Sequence, residues 1–199
     1  IISMNSVLQT YGGPGEGDML ITCATIVQSF MLVITMPLGG ITGGTQTILA
    51  FNYGAGQPDR VKKAQRFIFL LSAGYTTILF ILAQTAGHIF VRLFTSDPAL
   101  IAEAAKTIKI YTLAVIPLSI QYVIVDGFTG LGKVQLSLPL SFFRKLVYFL
   151  PLFLLPRFFG ARATFYAEPI SDIIAPVVSI FVYAVAMKRI LKKPVIPNF

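Results

Sequence analysis

Residues 19–64 read MLITCATIVQSFMLVITMPLGGITGGTQTILAFNYGAGQPDRVKKA, and the two halves of that stretch decide the fold. From residue 19 to residue 58 there is no charged side chain. A helix of ~20 apolar residues crosses ~30 Å of hydrocarbon at ~1.5 Å per residue, so this stretch spans a bilayer with residues to spare. Arg60, Lys62, Lys63 and Arg66 follow at once. Positive charge resists translocation, which puts this end on the cytoplasmic side.

The whole chain carries the same signal. Hydrophobic residues make up 55% of its 199 and charged ones only 12%, against ~25% in a typical soluble domain. Mean hydropathy is +0.78. The formal charge of +8 suggests nucleic acid at first sight. The cations sit beside hydrophobic runs, however, where they anchor helix ends, and no basic face or aromatic–basic motif accompanies them. Nucleic acid is therefore excluded as a partner. Cys23 is the one cysteine, so neither a disulfide framework nor a thiol-rich metal site is available.

Hydropathy and turn residues map one partial and five full spans: about 1–11, then 19–50, 67–93, 104–131, 137–156 and 163–187. The first is about half the length a crossing needs, and no signal peptide or initiator Met precedes it, so it reads as the cut end of something longer. Gly54/Gly56/Pro58, Ser96-Asp97-Pro98, Gly130/Gly132 and Gly160 punctuate the joins. Unpaired backbone is too costly in lipid for anything but helices at these lengths. The expected fold is all-α, a polytopic transmembrane bundle over residues 1–193, with a basic cytoplasmic tail at 188–199.

Charge placement orients the map. The 59–66 loop, Lys133 and the tail residues Lys188, Arg189, Lys192 and Lys193 fall on one side, with Asp59 the single acid. Glu16, Asp18, Arg92, Asp97, Glu103, Arg157 and Arg162 fall on the other. The 59–66 loop and the C-terminus are thus cytoplasmic and residues 12–18 outside. Within the second span, Gly39, Gly40, Gly43 and Gly44 form overlapping small-xxx-small pairs, read as a packing seam, with Pro37 a possible kink just before them.

Several ordered motifs resemble the multidrug and toxic compound extrusion (MATE) family. They are Gly43-Gly44-Thr45-Gln46-Thr47-Ile48, Asn52-Tyr53-Gly54-Ala55 with Arg60-Val61-Lys62-Lys63-Ala64, Leu93-Phe94-Thr95-Ser96-Asp97-Pro98, Gly130-Leu131-Gly132-Lys133 and Pro169-Ile170-Ser171-Asp172. The resemblance covers nearly the whole chain. It implies the second six-helix lobe of a twelve-helix plasma-membrane antiporter that exports cationic amphipathic drugs in exchange for protons or sodium ions. It also implies a missing first lobe, without which this one should not transport, because the substrate path lies at the repeat interface.

Ionisable groups inside spans are functional candidates by default. Asp126 and Arg144 lie at similar depth on successive spans. They form either an interhelical ion pair or a coupling carboxylate tuned by a nearby cation. Glu168 and Asp172, at i and i+4, share a helical face and repel one another when both are ionised, which suits reversible protonation. The alternative pairs them with Arg157 or Arg162. Asn5, Gln28, Gln46, Gln121 and Tyr122 either ligate sodium, orient substrate or bond helix to helix. His88, without acidic or metal-binding company, is read as interfacial. There is no nucleophile with an adjacent base, no phosphate loop and no metal-ligand spacing, so the chain is read as a non-enzyme without cofactors beyond a coupling Na+ or H+. Two other readings stay open: a flippase-type exporter of lipid-linked or polyanionic substrates, favoured if Arg144 and Lys145 face inward, and a non-transporting scaffold or remnant, favoured if Asp126 and Asp172 are fully paired and no polar cavity exists.

Overall fold

The computed structural model describes residues 2–191. Seven α-helices and one short 3-10 segment follow one another, with no strand among the described residues: α1 Ile2–Gly44, α2 Gln46–Gly54, α3 Pro58–Val91, α4 Pro98–Tyr111, α5 Val115–Gly130, α6 Val134–Phe159, the 3-10 segment Ala161–Tyr166, and α7 Ala167–Ile190. Helix α1 is broken at Gly13-Pro14-Gly15, where Gly13 has φ 63° and Gly15 φ 91°, left-handed values that glycine alone adopts without cost. The break separates the short first piece from the long uncharged one. At the fold, a Cβ on Gly12 would lie 2.7 Å from Gly17 Cα, so a larger residue could not close it.

Four stretches among the described residues are long and apolar enough to cross a membrane, and five if α4 and α5, bent by 49°, form one span. The sequence reading took residues 104–131 as one continuous crossing. Pro117 explains the break, because it has no N–H and its ring clashes with the carbonyl four residues earlier, at Leu113. Gln84 of α3 covers the opened turn, its Nε2 donating to Lys109 O at 3.0 Å and Thr112 Oγ1 at 3.3 Å. Helix α3 begins at Pro58 rather than near 67, so the basic cluster lies on its first turns. Lys188 and Arg189 belong to the last turn of α7, where cations complement the helix dipole, rather than to a separate tail. The remainder of the expected tail, 192–199, lies outside the described residues.

Two apolar cores hold the bundle, one at each end. The first gathers Leu20, Val27, Ile34, Val91, Ile108, Leu118, Leu152 and Phe165. The second gathers Leu49, Val61, Ile68, Ile124, Phe128, Leu140 and Met187. Between them four helices contribute polar groups: Ser72 and Thr76 from α3, Gln121 from α5, Arg144 from α6, Asp172 and Ser179 from α7. The outward faces are apolar, with Leu70, Ile78 and Ile81 on α3 and Ile173, Val177 and Phe181 on α7 all exposed. Large exposed apolar faces of this extent mark contact with lipid or protein.

The charge map of the ends is consistent with these contacts. Arg162 Nε lies 3.2 Å from Glu16 and 3.4 Å from Glu103, so three segments assigned to one side meet at one end. At the other end the Lys133 ammonium sits 5.5 Å from the centre of the Tyr53 ring, tying the end of α2 to the α5–α6 turn. Asn52 Nδ2 donates to Ile48 O at 2.7 Å, and Gly54 closes α2. The glycine seam makes no close packing within the described chain. A Cβ on Gly39, Gly40, Gly43 or Gly44 would meet nothing within 4 Å, so none of them packs against the described chain. The close approaches are instead Gly130 against the Gln46 backbone, 3.0 Å, and Gly127 against the Gln65 amide, 2.6 Å.

Candidate functional site

Arg144 organises the polar layer. Its Nε donates to Asp172 Oδ1 at 2.8 Å and its Nη2 to Glu168 Oε1 at 2.7 Å. The i, i+4 spacing on α7 stacks the two carboxylates so that one planar fork reaches both. The Asp172 side chain is 1% exposed, and those of Arg144 and Glu168 are each 14% exposed. Tyr111 of α4 adds its hydroxyl to Glu168 Oε2 at 3.4 Å.

This arrangement corrects two expectations. Arg144 forms no ion pair with Asp126; its guanidinium turns to α7. Glu168 and Asp172 pair with neither Arg157 nor Arg162. The 3-10 segment gives the reason: it advances ~2.0 Å per residue rather than ~1.5 Å, so both carboxylates sit deeper than an all-α count places them. Arg162 is left at the bundle end with Glu16 and Glu103.

Asp126, on the last turn but one of α5, is half-buried and accepts a hydrogen bond from the Thr42 hydroxyl of α1. Gln46 lies beside the same carboxylate. No cation pairs with Asp126 among the described residues. A cleft of about 260 Å³ opens here, lined by Gln121, Tyr122, Asp126, Ser141, Arg144 and Lys145. A second cleft, about 280 Å³, shares Tyr122, Arg144 and Lys145 and adds Gln28, Thr35 and Glu168. Arg144 and Lys145 thus form the ridge between two polar clefts on one face of the bundle.

The tertiary structure brings most sequence candidates together on that face. Gln28 lines the second cleft and donates to Met4 Sδ at 3.3 Å. Gln121 is 3% exposed; its Nε2 donates to Leu140 O at 3.3 Å and its Oε1 accepts from Ser179, so it bonds three helices together. Asp172 lies behind the clefts, and Asn5, half-buried on the short first piece of α1, lines neither. Thr42, Tyr111 and Ser179 were not among the candidates. Their partners are 84, 57 and 58 residues away, and nothing local in the sequence marks them.

A helical bundle with apolar outer faces and a polar, cleft-bearing middle is the architecture of a polytopic membrane protein. Residues 9–155 match the model of the MatE family, and the chain belongs to that family, whose members are transporters. It is 25% identical over 151 residues to the FAD transporter of Shewanella oneidensis strain MR-1, a match covering 75% of this chain and 33% of that protein. Solved structures share the fold. An outward-facing multidrug resistance MATE family transporter superposes with a TM-score of 0.87 at 15% identity, covering 96% of this chain and 43% of that one. The inward-facing form gives 0.83 at 16% identity and 44% of that chain. The Vibrio cholerae transporter VcmN, in its bent form, gives 0.81 at 17% identity and 41%. The chain therefore spans less than half the length of these relatives, as a half-length lobe of that fold does.

Proposed function

We propose that this chain forms the second lobe of a plasma-membrane antiporter that exports amphipathic cations in exchange for protons or sodium ions. The observation that carries the reading is Asp126: a half-buried carboxylate held by Thr42 in a polar cleft that it shares with Arg144 and Lys145, yet ion-paired with no cation among the described residues. A carboxylate at membrane depth is costly, so one kept without a cation suits a group that takes up and releases a proton or sodium ion. Arg144, Asp172 and Glu168 form a preorganised neighbour in which two carboxylates share one guanidinium. The clefts and the unpacked glycines of α1 then face the first lobe, whose counterpart surface completes the path. The ion gradient supplies the energy, and the end bearing Arg60, Lys62 and Lys63 is cytoplasmic.

Efflux of a fluorescent cation from cells making the complete two-lobed transporter tests this. Asp126→Asn should abolish gradient-driven efflux while surface expression stays normal; unchanged pumping would overturn the assignment.

A second reading, export of polyanionic or lipid-linked substrates, rests on Lys145. It is exposed, lines both clefts and has no ion pair among the described residues. The similarity to an FAD transporter supports the same reading. Lys145→Gln separates the two: loss of flavin dinucleotide export with intact cation efflux would favour the anionic substrate. The scaffold reading is weaker, since Asp126 is not ion-paired and a polar cleft is present.

A further inference from the structure

At the basic end of the bundle, away from the polar clefts, a cavity of about 390 Å³ lies between the start of α3 and the end of α7. Pro58, Tyr183, Met187 and Leu191 give it apolar walls, and Lys62 and Lys188 are its two cations. Lys62 is tied to Asp59 at 3.1 Å, with its side chain still 60% exposed, and Lys188 has no ion pair among the described residues. Tyr183 is fixed from behind by the rings of Phe69 and Phe128, at 6.0 and 5.9 Å. Beyond it, the exposed faces of both helices are apolar, with Phe67, Leu70 and Leu71 on α3 and Val177, Phe181 and Val185 on α7.

We infer that this cavity binds the headgroup of an anionic glycerophospholipid. The phosphate sits between Lys62 and Lys188. The glycerol and first methylenes lie on Tyr183, Met187 and Leu191, and the acyl chains run along the exposed faces of α3 and α7. Charge and polarity both argue for that occupant. A soluble anion would leave the apolar walls wet, whereas a zwitterionic lipid would bring a second cation against two lysines. Basic pockets between spans on the cytoplasmic side have this chemistry in general.

Native mass spectrometry of the full chain in detergent, with phosphatidylglycerol or phosphatidylcholine of the same acyl chains, tests the site. Phosphatidylglycerol should be retained about tenfold more strongly, given two cations near its phosphate. The double variant Lys62→Ala/Lys188→Ala should lose that preference. Arg60→Ala/Lys63→Ala, which removes equal charge from outside the cavity, should keep it, and so should Lys62→Arg/Lys188→Arg. Glycerol phosphate should fail to displace the lipid. Equal retention of both lipids, equal loss in the Arg60/Lys63 variant or displacement by glycerol phosphate would each overturn the proposal. A photoactivatable phosphatidylglycerol on the unsubstituted chain gives an independent reading: label should fall within residues 183–191 or 58–62, and label found only elsewhere would overturn it too.

Discussion

Arg144 Nε and Asp172 Oδ1 lie 2.8 Å apart across α6 and α7, the carboxylate 1% exposed and the guanidinium shared with Glu168. Arg144 is the pin of the polar layer, because removing it strands both carboxylates between two apolar cores. Arg144→Met should cost about 3–5 kcal/mol, the range for breaking a buried pair from one side. The triple variant Arg144→Met/Asp172→Leu/Glu168→Gln, which leaves no charge of the cluster unpaired, should recover most of that loss. Unfolding in mixed detergent micelles measures both, and a single variant as stable as the parent would contradict the buried-pair account.

Gln121 lines the first cleft but is 3% exposed and bonded to α6 and α7, so its substitution should act on packing. Gln121→Leu removes its bonds to Leu140 O and Ser179 and leaves a buried hydroxyl unpaired. A loss of about 0.5–2 kcal/mol should follow. In the complete transporter, the substrate concentration giving half-maximal efflux should stay within about twofold, a shift under ~0.5 kcal/mol.

The glycines divide into two kinds. Gly130→Ala puts a Cβ 3.0 Å from the Gln46 backbone, which cannot swing aside, so α2 and α5 must separate at a cost of about 1–3 kcal/mol. Gly44→Ala meets nothing within 4 Å and should be neutral or stabilising by up to about 1 kcal/mol in the isolated chain. If the seam receives the first lobe, as proposed, Gly44→Ala should instead reduce efflux by the complete transporter. Melting of the chain and transport by the whole protein, measured on the same variant, separate the two effects.

If Asp126 is the coupling carboxylate, as proposed, Thr42 should act on transport through it. Thr42→Val keeps the shape and removes the hydroxyl that donates to the carboxylate. Efflux should survive with its dependence on the coupling ion displaced, whereas Thr42→Ser should retain the parent's dependence. A dependence unaltered by Thr42→Val would place Asp126 outside the coupling step.

Arg162 should matter little to stability. It is about half exposed between Glu16 and Glu103, and exposed pairs contribute about 0–1 kcal/mol. Arg162→Gln should shift the melting temperature by no more than a few degrees, with the difference shrinking at high salt.

The sequence by itself determined that this is an all-helical membrane bundle, which residues share each end, and the family. Hydropathy over tens of residues and the placement of charges are long-range averages, insensitive to the position of any one side chain. It also singled out the ionisable residues inside the spans as candidates, because a charge among apolar neighbours is conspicuous without a structure. Only the tertiary structure decided who meets whom. A proline freed a carbonyl and bent one expected span into α4 and α5, and six residues of 3-10 helix carried Glu168 and Asp172 inward. Arg144 could then take both carboxylates, leaving Asp126 to Thr42. A shift of a few ångströms along a helix changes the partner of every buried charge, and sequence spacing does not resolve distances that small.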